Sequence, residues 1–426
     1  MKLAVVVQRY GADISGGAEL HARYIAERLA RHASVQVFTT CAEDYVTWRN
    51  TLPAGDSEIN GVPVRRFRVS RSRNTRDFGR RSADVFERPH SIREELAWLR
   101  SQGPRSPALV RHLVKVRDDI DYFLFFSYRY YHAFHGARAA ADKAVLVPTA
   151  ERDPAIGLRI FGPVFRGARA IMYNSPEERT LIEAVSERRG PGVVVGVGSA
   201  IPDRVEPARF RKKYGVRRPF AIYVGRIDVN KGCGELFRYF ERYAARRPDG
   251  LDLVLVGTKH MDVLAHPRVR DLGFLPDEDK FDALAAADAL IMPSPFESLS
   301  MVTLEAWALG RPVLVNGACD VLRGQVLRSR AGLYYEDTDE FCEALYTLEA
   351  AGPAGALLGR NGRAFFRRHY TWPTIERRYL DMFAQLAREA APAPIEPLPG
   401  WLAGRRRDCP PARVVMDAAP AGPVVR

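Results

Sequence analysis

The sequence predicts an α/β protein with two Rossmann-like domains whose parallel sheets face a central cleft. Short buried strands alternate with amphipathic helices, and this alternation restarts after residue 207. The chain has 426 residues, more than one ordinary core holds, and 46% of them are apolar, enough for two cores.

The first round of alternation predicts a domain over residues 1–195. KLAVVV predicts its first strand and ELHARYIAERLARH its first helix. Further strands are predicted at SVQVFTT, DYFLFFS, KAVLVPT, IMYNS and GVVVGVG. The stretch GVGSAIPDRVEP that follows is rich in Gly and Pro, so we expect an interdomain linker at 196–207.

The second round predicts a domain over residues 208–371. Its strands are expected at FAIYVG, LDLVLVG, VRDLGF, ALIMPS, PVLVN and GLYY. Ligands of such sheets bind beyond the carboxyl ends of the strands, so the site is expected in the cleft between the domains. After Glu389 the chain becomes rich in Pro and Ala, which predicts a mostly disordered tail at 390–426.

Composition limits the functional classes without choosing one. The formal net charge is +13, which suits nucleic acid, an anionic membrane surface or anionic substrates, and equally a chain that uses Arg freely. The five cysteines are scattered and form no zinc or redox motif. The opening MKLAVVVQRYG lacks the cleavage site of a signal peptide, and no run of about 20 apolar residues occurs. We therefore expect a cytoplasmic protein with reduced thiols.

The sharpest motif is IMPSPFESLSMVTLEAWALG, residues 291–310. A strand is expected to lead into a loop that carries Glu297, and a helix that carries Glu305 is expected to follow. Ser298, Leu299, Ser300 and Met301 form the entry to that helix, where unpaired backbone N–H groups and the helix dipole favour a diphosphate. From this placement Glu305 can accept hydrogen bonds from ribose hydroxyls, and Glu297 can reach the donor sugar.

A second motif, VGRIDVNKG, places two cations on one loop after a predicted strand. Arg226 ends the strand and Lys231 follows after four intervening residues. A guanidinium fork and an ammonium point charge both suit a diphosphate. They contribute to catalysis if negative charge grows on a leaving phosphate.

A third motif, GADISGGAELHARYIAERLA, places Gly16 and Gly17 between the first strand and the first helix. Paired glycines let the backbone approach a ligand closely. The spacing differs from the G-x-G-x-x-G fingerprint, which argues against a nicotinamide cofactor.

Together these segments resemble the family-four retaining glycosyltransferases, which have the fold called GT-B. The resemblance covers about residues 1–388 and rests on FESLSMVTLEAWA, on GRIDVNKG, on the Gly-Gly start, and on RRHYTWPTIERRYLDMF around Trp372. It implies that 1–195 is the acceptor side, that 208–371 binds the nucleotide sugar, and that a last helix at 372–389 crosses back to the first domain.

The resemblance also implies roles for the site residues. Glu297 and Glu305 would hold donor sugar and ribose, Arg226 and Lys231 the diphosphate, and Gly16 and Gly17 would contact the donor across the cleft. Ser298, Leu299, Ser300 and Met301 complete the expected donor site. The catalytic candidates are Glu297, Glu151, Arg226 and Lys231. No metal and no other cofactor is expected, because GT-B enzymes generally work without one; the acid runs at 277–279 and 337–339 are therefore interpreted as loop acids that flank helices.

One departure from the family concerns Glu151. Many members carry a histidine after a first-domain strand, where this chain has VLVPTAERDP. Glu151 can orient a hydroxyl or accept its proton, or it can mark altered specificity or lost activity. His132 and His135, in YRYYHAFHG, are more simply interpreted as core-edge residues.

Other functions are less well supported. The preferred prediction is transfer of a hexose from a nucleotide diphosphate sugar to a glycan or lipid-linked acceptor. A phosphorylase or epimerase would share the fold, although the intact carboxylate pair argues against the epimerase. A catalytically silent protein that binds sugar nucleotides is supported by Glu151 alone. A nucleic-acid partner is not expected, because no binding motif accompanies the charge.

The segment at 65–81, RRFRVSRSRNTRDFGRR, has eight arginines and one acid, Asp77. Such a segment suits an anionic partner. We expect it to dock the protein on the inner face of the cytoplasmic membrane, with Phe67, Val69 and Phe78 reaching into the interface. There the protein would meet a lipid-linked diphosphate acceptor, as in the assembly of surface polysaccharides. The alternative is a basic loop with no lipid role.

Overall fold

The first of two β-sheets is built by the amino-terminal half of the chain. A computed structural model describes residues 1–14, 16–349, 353–390, 395 and 413–414. The strand order of this sheet is β3-β4-β2-β1-β5-β6-β7-β8, and its strands are parallel except β3, which pairs antiparallel with β4. The strands are β1 (Lys2–Val6), β2 (Ser34–Thr40), β3 (Gly55–Ile59), β4 (Val62–Phe67), β5 (Tyr122–Phe126), β6 (Ala144–Val147), β7 (Ala170–Tyr173) and β8 (Gly192–Val194).

The second sheet is parallel throughout. Its order is β11-β10-β9-β12-β13-β14. Its strands are β9 (Phe220–Val224), β10 (Asp252–Val256), β11 (Val269–Asp271), β12 (Ala289–Met292), β13 (Val313–Asn316) and β14 (Gly332–Tyr335). Strands β9, β10, β12 and β13 are buried along their whole length, as expected for a parallel sheet covered on both faces. The α/β architecture with two such sheets is confirmed.

Helices connect the strands. Within the described residues they are α1 (Gly17–Leu29), α2 (Thr75–Glu87), α3 (Ile92–Gln102), α4 (Pro107–Lys115), α5 (Tyr131–Ala139), α6 (Phe161–Gly167), α7 (Pro176–Ser186), α8 (Pro207–Tyr214), α9 (Cys233–Arg246), α10 (Asp277–Ala286), α11 (Met301–Ala308), α12 (Asp320–Ser329), α13 (Thr338–Glu349), α14 (Pro353–His369) and α15 (Trp372–Leu386).

The β3–β4 hairpin is absent from the sequence-based prediction. All but the last residue of β3 are exposed, so the strand has none of the burial pattern that reveals the others. The turn does have a recognisable signal, Asn60-Gly61, in which both residues have positive φ (49° and 77°). Asn-Gly is the preferred pair for a two-residue hairpin turn.

The last described helix, α15, lies on the first domain. Arg378 donates a hydrogen bond to the Val195 carbonyl at 2.8 Å, and Phe383 stacks on Tyr122 at the start of β5. Arg169 donates to the carbonyl of Leu386, the last residue of the helix, and to that of Glu389 just beyond it, at 2.6 Å. One hydrophobic cluster joins side chains from β1, β9 and α15. Nearly all of the tail predicted at 390–426 lies outside the described residues.

Candidate active site

The predicted site residues lie in loops that leave the carboxyl ends of central strands. Gly16 follows β1, Glu151 follows β6, Arg226 and Lys231 follow β9, and Glu297 follows β12. In the first sheet the strand order reverses between β1 and β5, and in the second between β9 and β12. Such switch points are where open α/β sheets bind ligands.

Lys231 and Glu297 meet although 65 residues separate them. The Lys231 Nζ donates to Glu297 Oε1 at 2.7 Å. Lys231 is the last residue of a short 3₁₀ turn. Asp228 precedes this turn, and its carboxylate accepts a hydrogen bond from the backbone N–H of Lys231 at 2.9 Å. Burial acts to lower the pKa of Lys231, but Glu297 and Glu151 outweigh it and raise that pKa, so the ammonium stays charged.

Glu151 belongs to the same cluster of charges. Burial raises its pKa to about 7; Glu297 and Asp153 act in the same direction, while Arg129 and Lys231 oppose it. The Glu151 side chain is half-buried and has no hydrogen-bond partner among the described residues. The structure therefore brings a carboxyl that titrates near neutrality into the field of Lys231 and Glu297.

Hydrogen bonds to Glu178 hold the loop that carries Glu151 in place. This carboxyl on α7 is fully buried and accepts hydrogen bonds from the backbone N–H groups of Ala150 and Asn174. Burial raises the pKa of Glu178 to about 8, although both N–H groups act to lower it. Thr149 has a positive φ of 48° and donates to Ser127 Oγ at 3.0 Å. The backbone beside Glu151 is thus strained and fixed.

Arg226 reaches across the cleft to the first domain. Its guanidinium lies over the Tyr45 ring, 5.2 Å from the centroid, and donates to the Tyr45 hydroxyl. Arg9, which follows β1, lies over the same ring at 5.6 Å. Arg9 also pairs with Glu19 at 2.7 Å. Two cations from different domains therefore converge on one tyrosine.

Glu305 lies in a second group of polar side chains. It is 3% exposed, accepts from Ser199 Oγ at 2.9 Å, and lies 3.4 Å from Lys280 Nζ. Burial raises the pKa of Glu305, and Lys280 and Ser199 oppose that rise. Tyr24 on α1 is close enough for Glu305 to help raise its pKa, although burial is the larger cause. Glu305 is thus placed between the second domain, the interdomain segment and α1.

The entry to α11 has the features of a helix start. The Ser300 side chain accepts from the backbone N–H of Thr303, and Ser300 has a positive φ of 67°. Met301 begins the helix, and the Leu299 carbonyl accepts from Gln325 at 2.7 Å. Ser298 Oγ is 3.5 Å from the Asn174 side-chain nitrogen, so this loop also touches the first domain.

The two glycines differ in their surroundings. A Cβ on Gly16 would lie 2.2 Å from a Glu19 carboxylate oxygen and 2.8 Å from Arg9. Glycine at this position is therefore required by the Arg9–Glu19 ion pair. A Cβ on Gly17 would have nothing within 4 Å, so its backbone borders open space.

Several residues at the site escaped the sequence analysis. Ser199 lies in the stretch predicted as a linker, and Lys280 follows the acid run at 277–279. The signals were available, because Ser199 is a polar residue in an apolar Gly-rich stretch, and Lys280 lies on the first turn of α10. For Tyr45 and Glu178 no local signal exists, since their partners are distant in sequence.

The remaining polar candidates have structural roles. His132 is fully buried and bonds the Phe126 carbonyl at 3.0 Å, and burial lowers its pKa to about 4. His135 packs on Tyr131. The acid runs pair with cations: Asp279 lies 2.7 Å from Lys213, and Asp339 lies 2.8 Å from Arg246. No group of three His, Cys, Asp or Glu residues that could hold a metal occurs in the described part of the chain.

The apolar residues at 65–81 are covered wholly or in part by the first domain. Val69 is 4% exposed and packs with Trp48, while Phe67 and Phe78 are half-buried against the first-domain core. The expectation that these side chains reach into an interface is therefore wrong for Val69, which the fold buries, while Phe67 and Phe78 are partly covered by contacts within the first domain. No helix in the part that the structure describes is both long and apolar enough to cross a membrane.

The fold is that of known two-domain glycosyltransferases. The chain aligns with the sucrose-phosphate synthase of Thermosynechococcus elongatus with a TM-score of 0.67 and 17% identity, over 91% of this chain and 99% of that one. It aligns with Anabaena Alr3699/HepE, determined in complex with UDP-glucose, with a TM-score of 0.66 and 18% identity, over 90% and 100% of the two chains. The protein therefore has the GT-B fold.

Sequence comparison finds a known glycosyltransferase domain in part of the chain. Residues 218–350 match the family described as "Glycosyl transferases group 1". The D-inositol 3-phosphate glycosyltransferase of Xylanimonas cellulosilytica is 30% identical over 203 residues, 44% of this chain and 47% of that protein. The matches to the first three curated relatives span less than half of each relative's length. Residues 218–350 are therefore similar to this glycosyltransferase family, and the chain as a whole has the fold of the GT-B enzymes.

Proposed function

We propose that this protein is a retaining glycosyltransferase that transfers a hexose from a nucleoside diphosphate sugar to a glycan or lipid-linked acceptor. The observation that carries the proposal is the contact of Lys231 with Glu297, with Glu151 in the same electrostatic cluster. It combines a cation for a leaving phosphate, a carboxylate for a sugar, and a carboxyl that titrates near neutrality.

The donor half of the proposal rests on two groups of side chains. Arg226 and Lys231 would neutralise the diphosphate as the bond from the sugar to phosphate breaks and negative charge moves onto the leaving group. Glu305, buried beside Ser199 and Lys280, would accept hydrogen bonds from ribose hydroxyls. The backbone at Gly17 and the entry from Ser298 to Met301 would border the donor. That related folds hold UDP and UDP-glucose supports a nucleotide sugar as the ligand.

The acceptor half rests on Glu151. The attacking hydroxyl must lose a proton, and a carboxyl whose pKa is about 7 can take one at neutral pH. Glu297, held by Lys231, would bind hydroxyls of the transferred sugar. No metal is required by this scheme, since the two cations supply the positive charge.

The proposal also includes the place in the cell where the protein acts. We infer a cytoplasmic protein that docks on the inner face of the membrane through exposed arginines of the 65–81 segment, among them Arg68, Arg71, Arg76 and Arg80. An anionic leaflet attracts each of them by about 1 kcal/mol. With the neighbouring aromatic rings partly covered by the first domain, the attraction would be mainly electrostatic and would weaken with salt.

A binding protein without turnover is the second candidate, and Glu151 in place of the family's histidine is the observation that favours it. Such a protein would bind the nucleotide sugar through Glu305 and Lys231 and release no nucleoside diphosphate.

Both candidates are tested by one experiment with Glu305→Gln. We expect UDP-glucose or another member of a panel of nucleotide sugars to raise the melting temperature of the wild-type protein. Loss of a charged hydrogen bond, about 1.5–3 kcal/mol, should weaken that binding by about 10- to 150-fold in Glu305→Gln. Glu343→Gln, an exposed carboxylate on α13, is the matched control. Release of nucleoside diphosphate with an acceptor mixture supports the transferase; binding without release supports the silent protein. Equal binding by Glu305→Gln and wild type would refute the ribose assignment.

A further inference from the structure

A cavity of about 510 Å³ opens in the first domain, outside the Lys231–Glu297 cluster. Its walls come from the segment before α2, from α2 and α3, and from the loop after α3. Five arginines line it, against one carboxylate, and they are Arg71, Arg73, Arg81, Arg100 and Arg105. We refer to it as the arginine cavity. Its volume is that of a site for a small molecule, too small for a nucleic-acid duplex.

The positive charge of the arginine cavity is poorly compensated. Its carboxylate, Asp77, is already shared by Arg81, at 2.9 Å, and Arg80. The side chains of Arg71, Arg100 and Arg105 make no hydrogen bond or ion pair with any described residue. Like charges this close repel one another unless an anion joins them.

The clustered arginines lower the pKa values of one another and of a nearby histidine. Burial lowers the pKa of the Arg100 guanidinium, and Arg105, Arg81 and Arg93 lower it further, while Tyr131 acts against them. Burial also lowers the pKa of His135 to about 4, with Arg138, Arg100 and Arg105 adding to the effect. The arginines of an ordinary solvated surface segment would pair with acids or point away from one another. These arginines instead line one cavity.

The arginine cavity adjoins the catalytic cleft through Arg73 and Tyr45. Arg73 lies on the cavity wall, stacks on Trp48 at 4.9 Å, and donates to the Tyr45 carbonyl at 3.0 Å. The ring of the same tyrosine lies under Arg226, in the loop after β9. A ligand held in the cavity is therefore separated from the donor site by one short loop.

We propose that the arginine cavity binds the phosphate or diphosphate group of an anionic acceptor and orients its hydroxyl toward Glu151. This inference rests on the proposed transferase function and names the acceptor class. Guanidinium groups bind phosphate oxygens through paired, charge-assisted hydrogen bonds, so several of them select a phosphorylated acceptor over a neutral sugar. The phosphate can belong to a soluble sugar phosphate or to a lipid-linked sugar.

The test uses the double variant Arg100→Gln/Arg105→Gln in the full chain. Both residues are exposed and their side chains bond nothing, so the fold should survive. The probe is inorganic pyrophosphate, titrated with UDP present in excess so that the donor site is filled. We expect pyrophosphate to bind the wild type, and binding to fall by at least about tenfold in the double variant. Arg111→Gln, an exposed arginine of α4 outside the cavity, should bind like wild type.

Two further measurements, a competition experiment and a vesicle flotation experiment, identify the source of the phosphate. Glucose 1-phosphate that competes with pyrophosphate supports a soluble acceptor. Flotation with phosphatidylglycerol vesicles but not phosphatidylcholine vesicles, lost in the double variant and reversed by pyrophosphate, supports a lipid-linked one. Equal pyrophosphate binding by the double variant and the wild type overturns the inference. If UDP still binds normally in that case, the proposed function is not affected. If the wild type binds neither UDP nor any nucleotide sugar, the proposed function itself is refuted.

Discussion

Replacing Glu151 by glutamine should change how the stability of the protein depends on pH. The ordinary pKa of a glutamate is 4.5, and burial in the cleft raises that of Glu151 to about 7. The folded state therefore binds the Glu151 proton more tightly than the unfolded state does. Between about pH 4.5 and 7 this makes the wild type less stable as the pH rises, and glutamine removes the effect. At about 1.4 kcal/mol per unit, the difference approaches about 3 kcal/mol above pH 7, and less to the extent that water reaches the half-buried side chain.

The measurement is the melting temperature of both proteins at pH 5, 6, 7 and 8. We expect Glu151→Gln to gain on the wild type across this series, with most of the change between pH 5 and 7. Glu241→Gln, an exposed carboxylate on α9, should follow the wild type at every pH. A gap between Glu151→Gln and wild type that stays constant with pH would refute the placement of Glu151 among buried charges. If Glu151 also accepts the proton of the acceptor, the same variant should lose transfer while it keeps nucleotide binding.

Three other substitutions test the parts of the site separately. Lys231→Ala should lower turnover by on the order of a hundredfold with little change in melting temperature, and normal turnover would exclude its role at the leaving group. Glu178→Ala leaves two buried backbone N–H groups without an acceptor, at about 1–3 kcal/mol each, so we expect a lower melting temperature, partly restored in Glu178→Gln. Arg169→Met should destabilise the attachment of α15 to the first domain by about 1–3 kcal/mol, measured by urea unfolding; unchanged stability would show that apolar packing alone holds the helix.

The strands were predictable because burial leaves a local pattern. Each strand of the second sheet is a short apolar run, and a run such as FAIYV needs no knowledge of its neighbours. The β3–β4 hairpin shows the limit. With one face of β4 buried and β3 exposed, only the Asn60-Gly61 turn identifies it. The domain boundaries stay predictions, although the last strand of the first sheet ends at Val194 and α8 begins at Pro207.

The site was predictable one segment at a time. Glu297, Glu305, Arg226 and Lys231 each stand in a local pattern that relates a strand end to a loop or a helix start. What joins the segments was not visible: the Arg226–Tyr45 contact spans 181 positions. Pairings of this kind depend on the packing of the two domains, which no window of sequence contains. The roles carried over from the family therefore remain proposals that the substitutions above can test.

The backbone around the cleft gives a reason to treat Glu151 as part of the site. Three non-glycine residues beside the cleft, Ser127, Thr149 and Ser300, have positive φ, a conformation that costs free energy and persists only where the surroundings impose it. At Thr149 two contacts impose it: the Thr149 hydroxyl donates to Ser127 Oγ, and Glu178 accepts from the backbone N–H of Ala150. An exposed glutamate on an unconstrained loop would need neither. Thr149 lies two residues before Glu151, so these contacts also restrict the backbone that carries Glu151 into the electrostatic field of Lys231 and Glu297.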